Sequence, residues 1–490
     1  MEAIVYAALM VPLLTSALIT IGKTASVVGV INLLGSLVCS VLALTVVWQV
    51  YLTGPLQFQL FYIDQLSTVF LIVVAILTFT SALFSISYMK KEAIHEKYSL
   101  KELKWYYLLC NIFSFTMITV PIVENLGLMW VTVEATTLAS ALLVAFNFSR
   151  ASIEAAWKYV MICTVGLCLA LLGTILLYFA QINIGVASGV EPLSWLALME
   201  VGSSLDPDTL KIAFVFIIIG YGAKAGLAPM HTWLPDAHSQ APSPVSGLLS
   251  GALLSCALYV IMRNIAIIKG TIVFPFVQQL LIGLGVFSVF IVIPFMMVQH
   301  DIKRLLAYSS VEHMGIITLA LGIGTPLAVY GALLHILNHA IAKSGLFYLA
   351  GIITQEYRTK QIMRIRDMLR VMPRIGSLFL LYSFVITGAP PFGIFFSKLM
   401  ITWAAFASGY YLIGTILLIL LGAVFSGMIF YCFKMVYSSA QPSAAKPTSM
   451  GFTAIIALVI STILITVSGW YLPPGLALSL RQAAMLVTGG

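Results

Sequence analysis

Four lysines, Lys158, Lys224, Lys343 and Lys398, lie inside apolar runs that read as membrane helices. A cation at the middle of a bilayer costs about 2.5–3.5 kcal/mol on insertion scales, so such residues face a partner or water and mark ion pathways. Glu134, within LMWVTVEATTLAS, has the same problem with the opposite sign: far from any polar end, it needs a cation. In LLHILNHAIAKSGLF, His335, His339 and Lys343 recur at i, i+4 and i+8. That spacing stacks them along one helix face at steps of about 6 Å, with Asn338 beside them. Imidazoles and an amine bridged by water make a path parallel to the helix axis, suited to handing protons from group to group. The simpler readings are snorkelling, strongest for Lys158 near the start of its run, and histidines bonded to neighbouring helices for packing alone.

Two helix interruptions accompany these lysines. Pro229 removes a backbone donor just beyond Lys224, in a segment already loosened by Gly220, Gly222 and Gly226. In ITGAPPFGIFFSK, Gly388, Pro390, Pro391 and Gly393 precede Lys398. Irregular backbone at membrane depth is tolerated only where protein or a water-filled cavity satisfies it. Paired interruptions, one near each lysine, point to a duplicated transporter architecture. The stretch YGAKAGLAPMHTWLPDAHSQAP then reads as a switch lysine, a break at Pro229 that admits water, and His231 and His238 at the mouth. Asp236 between the histidines makes a metal conceivable, but a hydrogen-bonded loop explains the spacing equally well, and no metal site is assigned.

The elements that must position these groups follow from composition. Of 490 residues, 61% are hydrophobic and 9% charged, against about 25% charged in soluble domains. A hydrocarbon core of about 30 Å takes about 20 apolar residues per helix. About fourteen such runs are present, near 3–21, 25–49, 63–88, 104–121, 124–146, 152–180, 209–227, 241–265, 273–297, 305–323, 327–353, 374–403, 408–437 and 450–471. The fold class is all-α membrane. The first run has no basic residue ahead of it and no evident cleavage site, so it reads as a retained helix.

Charge placement supports the count. Odd-numbered loops carry Lys23, Lys90, Lys91, Lys97, Lys101, Lys104, Arg150, Lys303, Arg304, Arg358, Lys360, Arg364, Arg366, Arg370, Arg374, Lys434 and Lys446, whereas even-numbered loops and the termini carry Lys211, Arg263, Lys269 and Arg481. By the positive-inside rule both termini face away from the cytoplasm, and the +8 net charge reflects this rule and not nucleic-acid binding. The six cysteines lie in apolar runs without C-x-x-C spacing, which fits packing and argues against an iron–sulfur centre in this chain. No glycine-rich turn has the strand–turn–helix context of a phosphate cradle.

GYGAKAGLAPMHTWLPDAHSQAPSPVSGLLSG, DIKRLLAYSSVEHMG, HILNHAIAKSGLFYLAG and GAPPFGIFFSK resemble the antiporter-like proton-channel subunits of respiratory complex I, membrane-bound nickel–iron hydrogenases and multisubunit cation/proton antiporters. The resemblance covers about residues 104–437. EAAWKYVMICTVGLCLALLGT, with the lysine ending GAPPFGIFFSK, is most similar to the F-type subunit of hydrogenase-4 and formate-hydrogenlyase-like complexes. With about fourteen runs, the long lateral helix of the distal complex I subunit is not expected.

The resemblance implies an organisation into three helices (1–103), two inverted five-helix repeats (104–265 and 273–437) and a last helix with tail (450–490), with the seventh and twelfth helices broken. It implies Glu134 and Lys224 as a gating ion pair, Lys158 as an intervening cation, His335, His339 and Lys343 as a central relay, and Lys398 as the exit lysine. One departure is that the eighth run has no ionisable residue at its middle, so Ser246, Ser250, Ser255 or water must bridge there. The implied setting is the cytoplasmic membrane of a prokaryote, in a complex with other membrane subunits and a peripheral redox arm. Nickel–iron or iron–sulfur centres are expected only in those partners, and the transported ion is the proton, with sodium as the alternative. Competing readings are a membrane cytochrome, a sodium/proton antiporter module and an energy-coupling subunit for inorganic-carbon uptake.

Overall fold

The computed structural model describes residues 1–94, 98–183, 192–438 and 450–489; Lys97 and Lys446 of the charge count lie outside the described residues. Every one of the fourteen apolar runs is helical. The first three are α1 (Glu2–Ile21), α2 (Ala25–Thr53) and α3 (Gln65–Ile94), with an unanticipated hairpin of β1 (Leu56–Phe58) and β2 (Phe61–Ile63) before α3. Next come α4 (Leu100–Thr119), α5 (Leu126–Val144), α6 (Arg150–Asn183), the short α7 (Trp195–Val201), α8 (Pro207–Ala225), α9 (Trp233–Gln240), α10 (Ser243–Leu248) and α11 (Leu254–Ile268). The second set is α12 (Phe274–Met297), α13 (Ile302–Ile323), α14 (Pro326–Tyr357), α15 (Met368–Val371), α16 (Pro373–Thr387), α17 (Gly393–Ala407) and α18 (Tyr411–Tyr437). The chain closes with α19 (Phe452–Trp470) and α20 (Pro474–Thr488).

Twelve helical stretches among the described residues are long and apolar enough to cross a membrane, with α16 and α17 as shorter apolar helices. The α4 helix is 20 residues long but carries Lys101, Glu102 and Lys104 in its first turns. Local chemistry sets the ends. Asp206 caps α8 with Pro207 at its first position, Asp301 caps α13 and Thr325 caps α14, each side chain accepting amides that have no partner within the helix. The segment Ser243–Ile268 and the middle of α14, residues 331–353, are buried throughout, whereas α1, α18 and α19 bury a third or less of their apolar window. The lysine and histidine row on α14 therefore runs through the centre of the molecule.

Two placements differ from the sequence reading. Arg263, assigned to a loop, is fully buried in α11 and makes a bidentate pair with Asp64 at 2.7 and 2.5 Å. Its face lies 4.2 Å from the Trp195 ring centroid, and its Nε donates to Tyr259 at 2.9 Å. Lys303, also assigned to a loop, is buried and donates to the Ala241 carbonyl at 2.5 Å. Both sit within a few residues of a helix end, where an apolar run cannot tell a loop charge from one folded inward. Of the cysteines, Cys39, Cys163, Cys256 and Cys432 are buried, Cys110 half-buried and Cys168 exposed on the outer face.

Candidate functional site

Lys224 stands in the last turn of α8, where a cation is favoured by the helix dipole. It is fully buried, and its ammonium donates to the hydroxyls of Thr137 at 2.7 Å and Tyr159 at 2.6 Å. Glu134 is half-buried on α5, one turn from Thr137. Its carboxylate accepts from Thr137 at 3.2 Å and from Thr164 at 2.8 Å. Glu134 and Lys224 are thus not in direct contact as the gating-pair expectation had it. The Thr137 hydroxyl stands between them, accepting from the lysine and donating to the carboxylate.

The helix ends at Gly226, whose φ of +78° is the left-handed conformation that favours glycine. After an irregular turn carrying Pro229, which is exposed, the chain resumes as α9. The expected break is therefore present. His231 and His238 are not at an open mouth: both are buried, the first beside Phe295 and Tyr308 and the second against Trp233 and Phe347. Asp236 points away from them, to Lys158 at 3.2 Å and to Arg304. Lys158 is exposed, also pairing with Glu154 at 2.6 Å. It is not an intervening cation of a buried row, and the outward face of α6 accounts for its place in an apolar run. Among the described residues, no group of three His, Cys, Asp or Glu side chains is disposed to hold a metal.

His335, His339 and Lys343 are all fully buried on α14. Lys343 donates to the Leu306 carbonyl at 2.6 Å and to Ser309 at 2.8 Å, both on α13. His335 is hydrogen-bonded through Nε2 to Nδ1 of His313 at 2.7 Å and through Nδ1 to Ser397 at 2.8 Å. The His313 ring is also 4.7 Å from that of His339. Asn338 is turned out of the row: it donates to the Leu334 carbonyl and accepts from Ser468.

Lys398 is buried near the start of α17, which begins where Phe392 leaves the second break. The break leaves Gly388 at φ +93° and frees the Thr387 carbonyl, which accepts from Lys398 at 3.3 Å. Lys398 also pairs with Glu312 at 2.9 Å. Glu312 and His313 were missed by the sequence reading as site residues. The signal was available, since Glu312, like Glu134, lies well inside its apolar run.

At the eighth run the helix contains a π turn, Leu249–Leu253, between α10 and α11. Ser246 donates to the His238 carbonyl at 2.8 Å and Ser255 to the Gly251 carbonyl at 2.6 Å, so both are occupied by backbone. Ser250 reaches a neighbouring helix, meeting Ser310 at 2.8 Å. Both ring nitrogens of His238 and of His339, Nδ1 of His231, Nε2 of His313 and Oγ of Ser243 are buried without a protein hydrogen bond of ordinary length and angle, although backbone at Leu234, Ser250 and Pro229 lies close to His238, His339 and His231 in turn. Buried polar atoms are ordinarily satisfied by protein or water. Ser243 lines an open cavity of about 610 Å³ together with Glu92, Gln240, Lys303, Gln355 and Lys360.

A polytopic helical bundle with broken helices and a buried carboxylate, amine and imidazole row is the architecture of a membrane ion-transport subunit. The chain belongs to the family described as NADH:quinone oxidoreductase/Mrp antiporter, TM, whose profile matches residues 123–426. Residues 53–99 match the family described as NADH-Ubiquinone oxidoreductase (complex I), chain 5 N-terminus. The chain is 39% identical to a hydrogenase-4 component F homolog from Methylacidiphilum infernorum (isolate V4), over 71% of this chain and 73% of that protein. It is 30% identical to NADH-quinone oxidoreductase subunit N from Desulforudis audaxviator (strain MP104C), over 77% of this chain and 74% of that one. Its fold matches a chain of the membrane-bound sulfane sulfur reductase, an archaeal respiratory membrane complex, with a TM-score of 0.87, 23% identity and coverage of 99% and 97%.

Proposed function

We propose that this chain is the proton-translocating membrane subunit of a redox-driven complex, moving protons through Glu134, Lys224, His231, His238, Lys343, His339, His335 and Lys398 while partner subunits transfer electrons. The observation that carries this reading is the row of unpartnered, buried imidazole nitrogens beside buried lysines. A dry packing role would leave each of these nitrogens at a cost of about 1–3 kcal/mol; water in hydrogen-bonded contact removes that cost and makes the row conductive. The open cavity lined by Gln240, Ser243 and Lys303 is assigned as the inlet to it.

Switching is electrostatic. A carboxylate brought to about 4 Å from an ammonium stabilises it by about 4 kcal/mol at an effective dielectric of about 20. This exceeds the roughly 2.3 kcal/mol needed to move a charge through 100 mV. Because the Thr137 hydroxyl already bridges the two groups, the swing that can hold or release a proton against a membrane potential is the whole one, from direct contact to withdrawal of Glu134 away from Thr137. Lys158, exposed and ion-paired, is assigned a supporting part at the α6–α9 contact instead of a step in transfer.

The broken helices at Pro229 and at Pro390 and Pro391 support a reading of 104–265 and 273–437 as two inverted units, each with a break beside a buried lysine, Lys224 in the first and Lys398 in the second. The setting is the cytoplasmic membrane of a prokaryote, with both termini on the far side and the Lys303 to Lys360 surface facing the cytoplasm. The relatives, a hydrogenase-4 component and a NADH-quinone oxidoreductase subunit, favour partners that include other membrane subunits and a peripheral redox arm. Nickel–iron or iron–sulfur centres would be held there. Replacing Lys224 with alanine and measuring acidification of membrane vesicles per electron transferred tests the reading. Proton yield is expected to fall, and an unchanged yield removes the proposal. The same assay with and without sodium separates the proton from the sodium reading.

A further inference from the structure

We infer that Glu312 is a proton carrier between the histidine cluster and Lys398, so that the outlet lysine is loaded through a carboxylate and not directly from an imidazole. This rests on the translocation reading above and adds a residue to it. Glu312 is 1% exposed and sits with each oxygen toward a different partner. Oε1 accepts from the Lys398 ammonium at 2.9 Å. Oε2 lies 3.6 Å from Nε2 of His313, an atom without any hydrogen-bond partner. Closing that gap to a hydrogen bond takes a shift of under about 1 Å. The far nitrogen of His313 is already bonded to His335, so a proton arriving along α14 has a continuous route to Nε2.

A static counter-ion would need only the Lys398 contact. It would not require a buried, unpartnered imidazole nitrogen aimed at its second oxygen. The transfer balances as follows. Protonated His313 gives its Nε2 proton to the carboxylate, leaving a neutral imidazole and a neutral carboxyl group. Lys398, still an ammonium, has lost its counter-ion and releases a proton toward the outlet. The resulting amine takes the proton of the Glu312 carboxyl, restoring the ion pair, and His313 is recharged through His335. One proton has moved from the histidine cluster to the outlet, and every group has returned to its starting state.

The test uses the full chain in its native complex in membrane vesicles, with Glu312→Gln, Glu312→Asp and Lys224→Ala quantified for assembled protein in the same membranes. Glu312→Gln is expected to lose proton yield per electron, and Glu312→Asp to retain part of it. Infrared difference spectra during turnover are expected to contain a transient carboxyl C=O band that Glu312→Asp displaces to the aspartate position. That second readout holds even where the glutamine variant fails to assemble, because a static counter-ion never becomes a carboxyl group. Assembled Glu312→Gln with wild-type proton yield, or a carboxyl band that Glu312→Asp leaves in place, overturns the inference. If Lys224→Ala loses yield while the Glu312 variants do not, this inference alone falls. If Lys224→Ala also keeps full yield, the translocation reading itself falls.

Discussion

At the scale of residues, a single hydroxyl decides how the first carboxylate and lysine communicate. Thr137 accepts from Lys224 and donates to Glu134, so Thr137→Val removes a hydrogen bond to a charged group, a loss of about 1.5–3 kcal/mol. Proton yield per electron in vesicles is expected to drop with valine and to be largely retained with serine, which keeps the hydroxyl. A second prediction concerns Asp64 and Arg263. Removing one partner of a fully buried ion pair costs about 3–5 kcal/mol, whereas replacing both by apolar residues of similar size is near neutral. Thermal unfolding of the detergent-solubilised protein should therefore fall sharply for Asp64→Asn and recover in Asp64→Leu/Arg263→Met. The buried lysines on α8, α14 and α17 were readable from the sequence because a cation inside an apolar run is conspicuous. What the runs did not reveal was facing. Lys158 turns outward on α6, Glu312 and His313 turn inward on α13, and one-dimensional hydropathy is the same for both.

At the scale of elements, the two breaks do the positioning. Gly393 lets α17 approach α14 closely, since a Cβ there would lie 2.4 Å from Oδ1 of Asn338. Gly393→Ala is expected to displace the Asn338 amide from its bonds to Leu334 and Ser468, lowering the unfolding temperature of the solubilised protein. Outside the membrane, the α8 cap has its own pH signature. The Thr209 hydroxyl, and then its backbone amide, hold the Asp206 carboxyl below its ordinary value of 3.8. A depressed carboxyl stabilises the fold fully above 3.8 and loses that contribution as the pH falls through its folded value. Amide exchange in the first turn of α8, corrected for intrinsic rate, should accelerate over that fall, and Asp206→Asn should remove the dependence. Proline and glycine announced both breaks in the sequence. The π turn at Leu249–Leu253 gave no comparable signal, since its residues suit an ordinary helix equally well. The α20 helix was passed over because its 15 residues fall short of a membrane span.

At the scale of the whole molecule, the uneven distribution of lysine and arginine predicts which face is cytoplasmic. Single cysteines at Lys23→Cys and Lys211→Cys should be labelled by a membrane-impermeant maleimide from opposite sides, Lys23→Cys from the cytoplasm. Labelling of both from one side would overturn the orientation. Translocation further requires that the buried row from His238 through Lys343 and His339 to Lys398 be wet. An experimental density map of the assembled complex, at a resolution that shows ordered water, tests it most directly. Water is expected within hydrogen-bonding distance of the ring nitrogens of His238 and His339, joined to the cavity at Ser243. A dry interior, with apolar side chains closing over those nitrogens, would contradict it.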